Sequence, residues 1–258
     1  MKISASAISH PGTCREKNED NFCFNGRILE DNATSRPLKF RGKFSEPILM
    51  GIFDGMGGIK AGERAAYITA EVAQTAIQTL TASTSDLEGV LMEICRSANL
   101  SVCEEMLNVI KQRIGTTASM LCFHLERYVL CNVGDSPIFL YRDNELNMIA
   151  HEHTEKENYL RIHGADAVLP KKKFKLTQNI GIFPEEMEIE PYIISDEIKS
   201  KDRFLISSDG LTDMVSEEEI KEIMGKRFTP TKTVKKLLQK ALDNGGKDNT
   251  TIICIDIK

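Results

Sequence analysis

Three aspartates stand where an apolar run meets a glycine: Asp54 in Ile52-Phe53-Asp54-Gly55, Asp135 in Val133-Gly134-Asp135-Ser136, and Asp209 in Ser207-Ser208-Asp209-Gly210. A fourth, Asp248, lies in Gly245-Gly246-Lys247-Asp248-Asn249, just ahead of the apolar run that ends the sequence. Strand ends hold side chains rigidly, and glycine lets backbone or ligand come close. Carboxylates gathered in one place repel each other and raise each other's pKa unless a cation neutralises them. Hard oxygen donors of this kind suit Mg²⁺ or Mn²⁺, not a zinc site of Cys and His. A single Asp-Gly pair reads as an ordinary turn. Four such sites, three of them after buried-looking strands, favour a metal centre. Near the N-terminus, Arg15-Glu16-Lys17-Asn18-Glu19-Asp20 adds carboxylates and one arginine, whose planar fork suits a phosphate.

These residues need rigid elements to hold them. Ile3–Ile8 and the run from Asn21 read as strands, and Ile48–Phe53 is a strand that stops at Asp54. Residues 30–47, with two prolines and four basic residues, read as an exposed loop. Apolar residues at three- and four-residue steps predict helices over 61–80 and 87–114. A second β block follows over 116–124, 128–133 and 137–141 with a short piece near Met148, joined by turns short enough for hairpins. Strands are expected over 186–194, 203–207 and 250–256. Helices are expected over 216–224, opened by a Ser216/Glu219 capping box, and 230–243. Residues 151–185 look like a mobile insertion. With no internal repeat and no linker, the pattern is that of one α+β domain over residues 1–258.

Composition narrows the function. Of 258 residues, 41% are hydrophobic and 28% charged, enough for a sizeable core. The net charge of −5 argues against a nucleic-acid binder with a broad basic face. No apolar run reaches the roughly 18 residues of a membrane span, and there is no signal-peptide stretch. Seven scattered cysteines without a Cys-x-x-Cys fit reduced thiols. A cytoplasmic protein is expected. Cys14 and Cys23, flanking the Arg15 run, read as ordinary buried thiols.

Taken in order, Arg15…Asn18-Glu19-Asp20, Phe53-Asp54-Gly55-Met56-Gly57-Gly58, Gly115-Thr116-Thr117-Ala118, Val133-Gly134-Asp135-Ser136, Ser207-Ser208-Asp209-Gly210-Leu211-Thr212-Asp213 and Lys247-Asp248-Asn249-Thr250-Thr251 resemble the PPM family. These are the PP2C-type, metal-dependent Ser/Thr protein phosphatases, and the variant is similar to their bacterial branch. The resemblance implies two packed antiparallel sheets flanked by helix pairs. It also implies hydrolysis of phosphoserine and phosphothreonine by a water activated between two Mn²⁺ or Mg²⁺ ions. On it, Asp54 bridges the ions and the Gly55 carbonyl ligates one. Asp209 and Asp248 hold the second, Glu19 acts mostly through water, and Asp20 orders the shell. Asp135 with Asp209 marks a weaker third metal site, and Arg15 captures the substrate phosphate. Residues 151–185 correspond to a variable flap, phosphorylated proteins are the implied substrates, and a Ser/Thr kinase is the implied opponent.

The chain departs from relatives in carrying Met56 and Ile59 where they place a candidate general-acid His, and Pro137 where they carry Arg. Leu176–Gly181 is a loose version of a family segment. His151-Glu152-His153 could ligate a metal, but in the resemblance its place belongs to a structural His. Lys171-Lys172-Lys173 could guide an acidic phosphopeptide, although a charge run is more often a solvated face. The rival functions are a pseudophosphatase that only binds, and a hydrolase of small phosphate esters.

Overall fold

A computed structural model describes the chain apart from residues 31–33, 58–60, 165 and 171–173. Gly58, Ile59 and the three consecutive lysines therefore lie outside the described residues. Two six-stranded sheets form, and every strand pair in them is antiparallel. The first holds β1 (Lys2–His10), β3 (Thr34–Lys43), β8 (Ile138–Arg142), β9 (Glu145–Met148), β11 (Arg203–Ser207) and β12 (Thr250–Ile257), in the order β3-β1-β12-β11-β8-β9. The second holds β2 (Asp20–Phe24), β4 (Ile48–Gly57), β6 (Ala118–His124), β7 (Arg127–Val133) and β10 (Tyr192–Glu197), in the order β10-β7-β6-β4-β2. Its short β5 (Ile114–Thr116) pairs with the end of β4.

Strand alternation sends side chains to both faces, and both faces are covered. Phe22, Ile52, Phe123 and Leu130 from one sheet meet Ile138, Phe204, Ile206 and Ile255 from the other in the central core. The rings of Phe123, Tyr128 and Phe204 pack edge-on or tilted there, with Tyr128 and Phe204 centroids 4.9 Å apart. The outer face of the second sheet is covered by α1 (Gly62–Thr79) and α2 (Leu87–Glu105). The Ala-rich stripe of α1 (Ala65, Ala66, Ala70, Ala73) is fully buried, so its backbone lies close to the sheet. The outer face of the first sheet is covered by α5 (Glu217–Gly225) and α6 (Pro230–Asp243), with the one-turn α4 (Asp209–Thr212) at their edge.

Local chemistry accounts for the helix ends. Ser216 and Glu219 form the expected reciprocal cap, and Thr229 caps α6 with Pro230 in its first turn. The helical periodicity past residue 105 does not continue as an α-helix. Met106–Ile110 form one wider π-type turn, ended by Lys111 in the left-handed region.

Several expectations are corrected. Residues 34–43 form an edge strand, not a loop. Leu38 and Phe40 pack against the central core while the basic side chains alternate outward, and Pro37 is tolerated because the strand is at the edge. Strand β4 does not stop at Asp54 but runs on to Gly57, because β5 offers it a partner. The expected strand over 186–194 begins only at Tyr192. Within 151–185 a short helix, α3 (Glu155–His163), forms behind a Thr154 cap. Among the described residues no helix is long and apolar enough to cross a membrane.

His153 ties the start of this segment to the sheet. The Gly134 N–H donates to its Nδ1, its own N–H donates to the Gly134 carbonyl, and its carbonyl accepts from the Thr177 N–H. Burial, then the neighbouring His151, lowers its pKa to about 4. The unfolded chain, with a His pKa of about 6.5, therefore takes up this proton first as the pH falls. The stability from His153 is complete above about 6.5 and is lost between there and about 4. Urea midpoints measured at pH 7.5 and 5 should fall further for the wild type than for His153→Asn. In the core, Phe204→Ala should cost about 3–5 kcal/mol by urea unfolding, since the ring has no other filler.

Candidate active site

At one edge of the sandwich the two sheets present their strand ends to each other. The second sheet contributes Glu19 and Asp20 at the start of β2 and Asp54 and Gly55 in β4; the first contributes Asp209 after β11 and Asp248 before β12. Asp20 and Asp54 sit directly opposite in the β2–β4 register. Like charges so placed are unfavourable unless something offsets them. Burial, and then Asp20, Asp209, Asp135 and Asp248, push the Asp54 carboxyl well above the carboxylate range. Asp20 and Asp209 are each raised to about 7, mainly by burial, with neighbouring carboxylates adding to it. A hydrogen bond with Asp54 partly offsets the rise at Asp209. Asp135, in the turn after β7, is raised to about 6 by burial and by Glu152. Burial and Glu63 raise Glu19 as well. Five of the expected site carboxylates and Asp20 thus act on one another electrostatically in one region.

Hydroxyl and amide groups hold this unfavourable arrangement. Ser208 and Thr251, both from the first sheet, donate to Asp20 Oδ2 at 2.8 and 2.7 Å, which crosses the gap between sheets. The other oxygen, Asp20 Oδ1, is buried without a partner. The Asp54 N–H donates to Thr117 Oγ1 at 3.0 Å, and its carbonyl accepts from Thr116 Oγ1 and the Thr117 N–H. Thr117 Oγ1 lies 2.7 Å from Ser136 Oγ, which connects Asp54 to the turn carrying Asp135. Asn249 accepts from the Glu19 N–H and donates to the Pro11 and Lys17 carbonyls, so it binds the N-terminal arm to the loop before β12. Glycines allow the approach. A Cβ on Gly210 would lie 1.9 Å from the Asn249 carbonyl, and one on Gly55 would lie 2.4 Å from the carbonyls of Glu19 and Gly62.

Arg15 stands at the mouth with its Nη2 2.6 Å from Asp248 Oδ2, and Lys17 pairs with Glu63 at 2.7 Å. The arginine expected to bind phosphate and an expected metal ligand are thus partners here. A cavity of about 350 Å³ opens beside Asp135 and Asp209, with Phe139 and Val215 among its apolar walls and Glu152 and Asp213 among its acidic ones.

A hard dication fits this donor set. The carboxylates raise one another, the buried Asp20 Oδ1 has no partner, and the potential ligands described there are carboxylate and carbonyl oxygens. Among the described residues no three His, Cys, Asp or Glu side chains already converge as a finished cage. His153 is structural, as its backbone partners show, and His151 rests against Tyr192. Met56 is half-buried in the β4–β5 pair, with no imidazole there. Cys23 is buried as expected, but Cys14 is exposed. The roles of Ser208, Thr251, Thr117 and Asn249 were not assigned from sequence. Their signal there was membership of the motifs that carry the family resemblance, Thr117 in Gly115–Ala118 and the others beside Asp209 and Asp248.

A family profile described as protein phosphatase 2C matches residues 9–250. The serine/threonine phosphatase stp of Listeria monocytogenes is 27% identical over 239 residues, covering 90% of this chain and 92% of that protein. The serine/threonine protein phosphatase PstP of Mycobacterium tuberculosis is 29% identical over 260 residues, covering 100% of this chain and 45% of that one. The crystal structure of that phosphatase superposes with a TM-score of 0.81 at 26% identity, each chain fully covered. A PstP catalytic domain in complex with two manganese ions gives 0.79, also at 26% identity and full coverage of both chains. With the profile spanning nearly all of the sequence, the chain belongs to the protein phosphatase 2C family.

Proposed function

We propose that this enzyme removes phosphate from phosphoserine and phosphothreonine in proteins, using two Mn²⁺ or Mg²⁺ ions. Asp54, the Gly55 carbonyl, Asp209 and Asp248 would hold them, Glu19 would act through water, and Asp135 with Asp209 would hold a weaker third. The observation that carries this reading is the group of mutually raised carboxylates at the junction of two sheets, with an arginine at its mouth. When bound, such ions lower the pKa of a coordinated water and offset phosphoryl charge.

The chain's own residues then have distinct tasks. Arg15 donates to the phosphoryl oxygens from the rim, where its half-exposed side chain can reach incoming substrate. Asp248 orients that guanidinium. Asp20, fixed by Ser208 and Thr251, keeps β2 in place beside β4 and leaves one oxygen free to accept a proton or a water hydrogen. Thr116 and Thr117 fix the Asp54 backbone, so its carboxylate does not have to be ordered at the moment of reaction. With Met56 where an imidazole general acid would be expected, leaving-group protonation falls to water. The substrates are phosphoproteins, and a Ser/Thr kinase would produce them.

Hydrolysis of an aryl phosphate, and of phosphoserine and phosphothreonine peptides, should appear with Mn²⁺ and vanish with chelator. Metal binding without turnover would instead mark a binding module, and turnover of the aryl ester alone would mark a small-ester hydrolase. Asp54→Asn and Asp209→Asn should each abolish turnover with the circular dichroism spectrum unchanged; wild-type rates in either would overturn the ligand assignment. Arg15→Ala loses charge-assisted bonds worth about 1.5–3 kcal/mol. It should therefore lower kcat/KM by roughly ten- to a hundredfold, chiefly through KM.

A further inference from the structure

Asn99 lies inside α2, on the helical layer and not among the carboxylates, yet it is only 4% exposed. An asparagine within a helix is less favourable than alanine, and burying its amide costs more unless it is bonded. Its bonds all leave the helix. Oδ1 accepts from the N–H groups of Gly181 at 2.7 Å and Ile182 at 3.0 Å, and Nδ2 donates to the Ile182 carbonyl at 2.8 Å. Cys103 Sγ, one turn further on, lies 3.4 Å from the same carbonyl. One side chain therefore fixes the point where the segment 151–185 returns to the sandwich.

That point is bonded to the strand that backs Asp54. Ile180 is fully buried and exchanges both backbone hydrogen bonds with Thr116, at 2.9 and 3.0 Å. The contact leaves no space. A Cβ on Gly181, whose φ is +105°, would lie 2.6 Å from the Ile114 carbonyl, and one on Gly115 would lie 2.4 Å from Asn179 Nδ2. Thr116 in turn donates its hydroxyl to the Asp54 carbonyl at 2.9 Å. Hydrogen bonds and one stretch of backbone, Ile180–Ile182, therefore connect Asn99 through Thr116 to Asp54.

We infer that Asn99 is a positioning residue for the metal centre: by clamping Gly181 and Ile182 it holds Thr116, and through Thr116 it holds Asp54. The inference rests on the reading of Asp54 as a metal ligand. Its signature is a weakened metal site in a folded protein, with no change to any side chain that touches the ion or the phosphate.

The test is a Mn²⁺ titration of the full chain followed by the electron paramagnetic resonance signal of free Mn²⁺. Asn99→Leu, similar in size but without polar atoms, should raise the Mn²⁺ dissociation constant by about 10- to 100-fold, as loss of outer-sphere support does elsewhere. Thr116→Val, which removes only the hydroxyl link, should also weaken the site. Its effect should be less than additive with that of Asn99→Leu, because both break one chain. Leu237→Ala, in the core on the far side of the sandwich, should lower the melting temperature with Mn²⁺ affinity unchanged, which separates positioning from general loss of stability. Asn99→Ser serves if Asn99→Leu does not fold. Affinity within twofold of wild type in whichever of the two folds overturns the inference alone. A wild type that binds no Mn²⁺ overturns the proposed function and the inference with it.

Discussion

Mutual repulsion among close-set, partly buried carboxylates is the constraint on which the rest of this molecule depends. Asp20 and Asp54 face each other across one strand pair, and Asp209 and Asp248 come towards them from the other sheet. Left alone, these groups would separate, swell with water or protonate. They stay because two hydrophobic sheets press together behind them and because hydroxyls and backbone N–H groups hold the carboxyl-bearing segments. The energy that keeps the charges close comes from apolar packing and hydrogen bonding elsewhere. Such repulsion is what a hard dication relieves.

Much of this was legible in the chain. The residues with chemistry announced themselves because an apolar strand ending in Asp-Gly is a local pattern, and local patterns survive without knowledge of the fold. Helix α6 was read to its exact bounds, since Pro230 at its start and a clear amphipathic period leave few alternatives. The reading failed where the deciding contact was remote. Residues 34–43 are polar enough to pass for a loop, and only the unsatisfied edge of β1 makes a strand of them. Strand β4 outruns its apolar stretch because β5, some sixty residues later, pairs with it. The supports of the site were hidden for the same reason. Ser208, Thr251 and Asn249 are unremarkable by type, and their roles exist only once two sheets meet.

The first sheet has a further consequence, for time rather than for shape. Its pair β1–β12 joins the two ends of the described chain, Ile3 to Ile257 and His10 to Thr250. Loops that long close slowly, because their entropy must be lost before any contact rewards it. During synthesis, Asp20 emerges early and waits for the hydroxyls of Ser208 and Thr251. The centre is therefore completed last. A chain cut at residue 249 carries every one of the site carboxylates and lacks β12 with its Thr251 hydroxyl, so it has the charges without one of the two bonds that tie Asp20 to the other sheet.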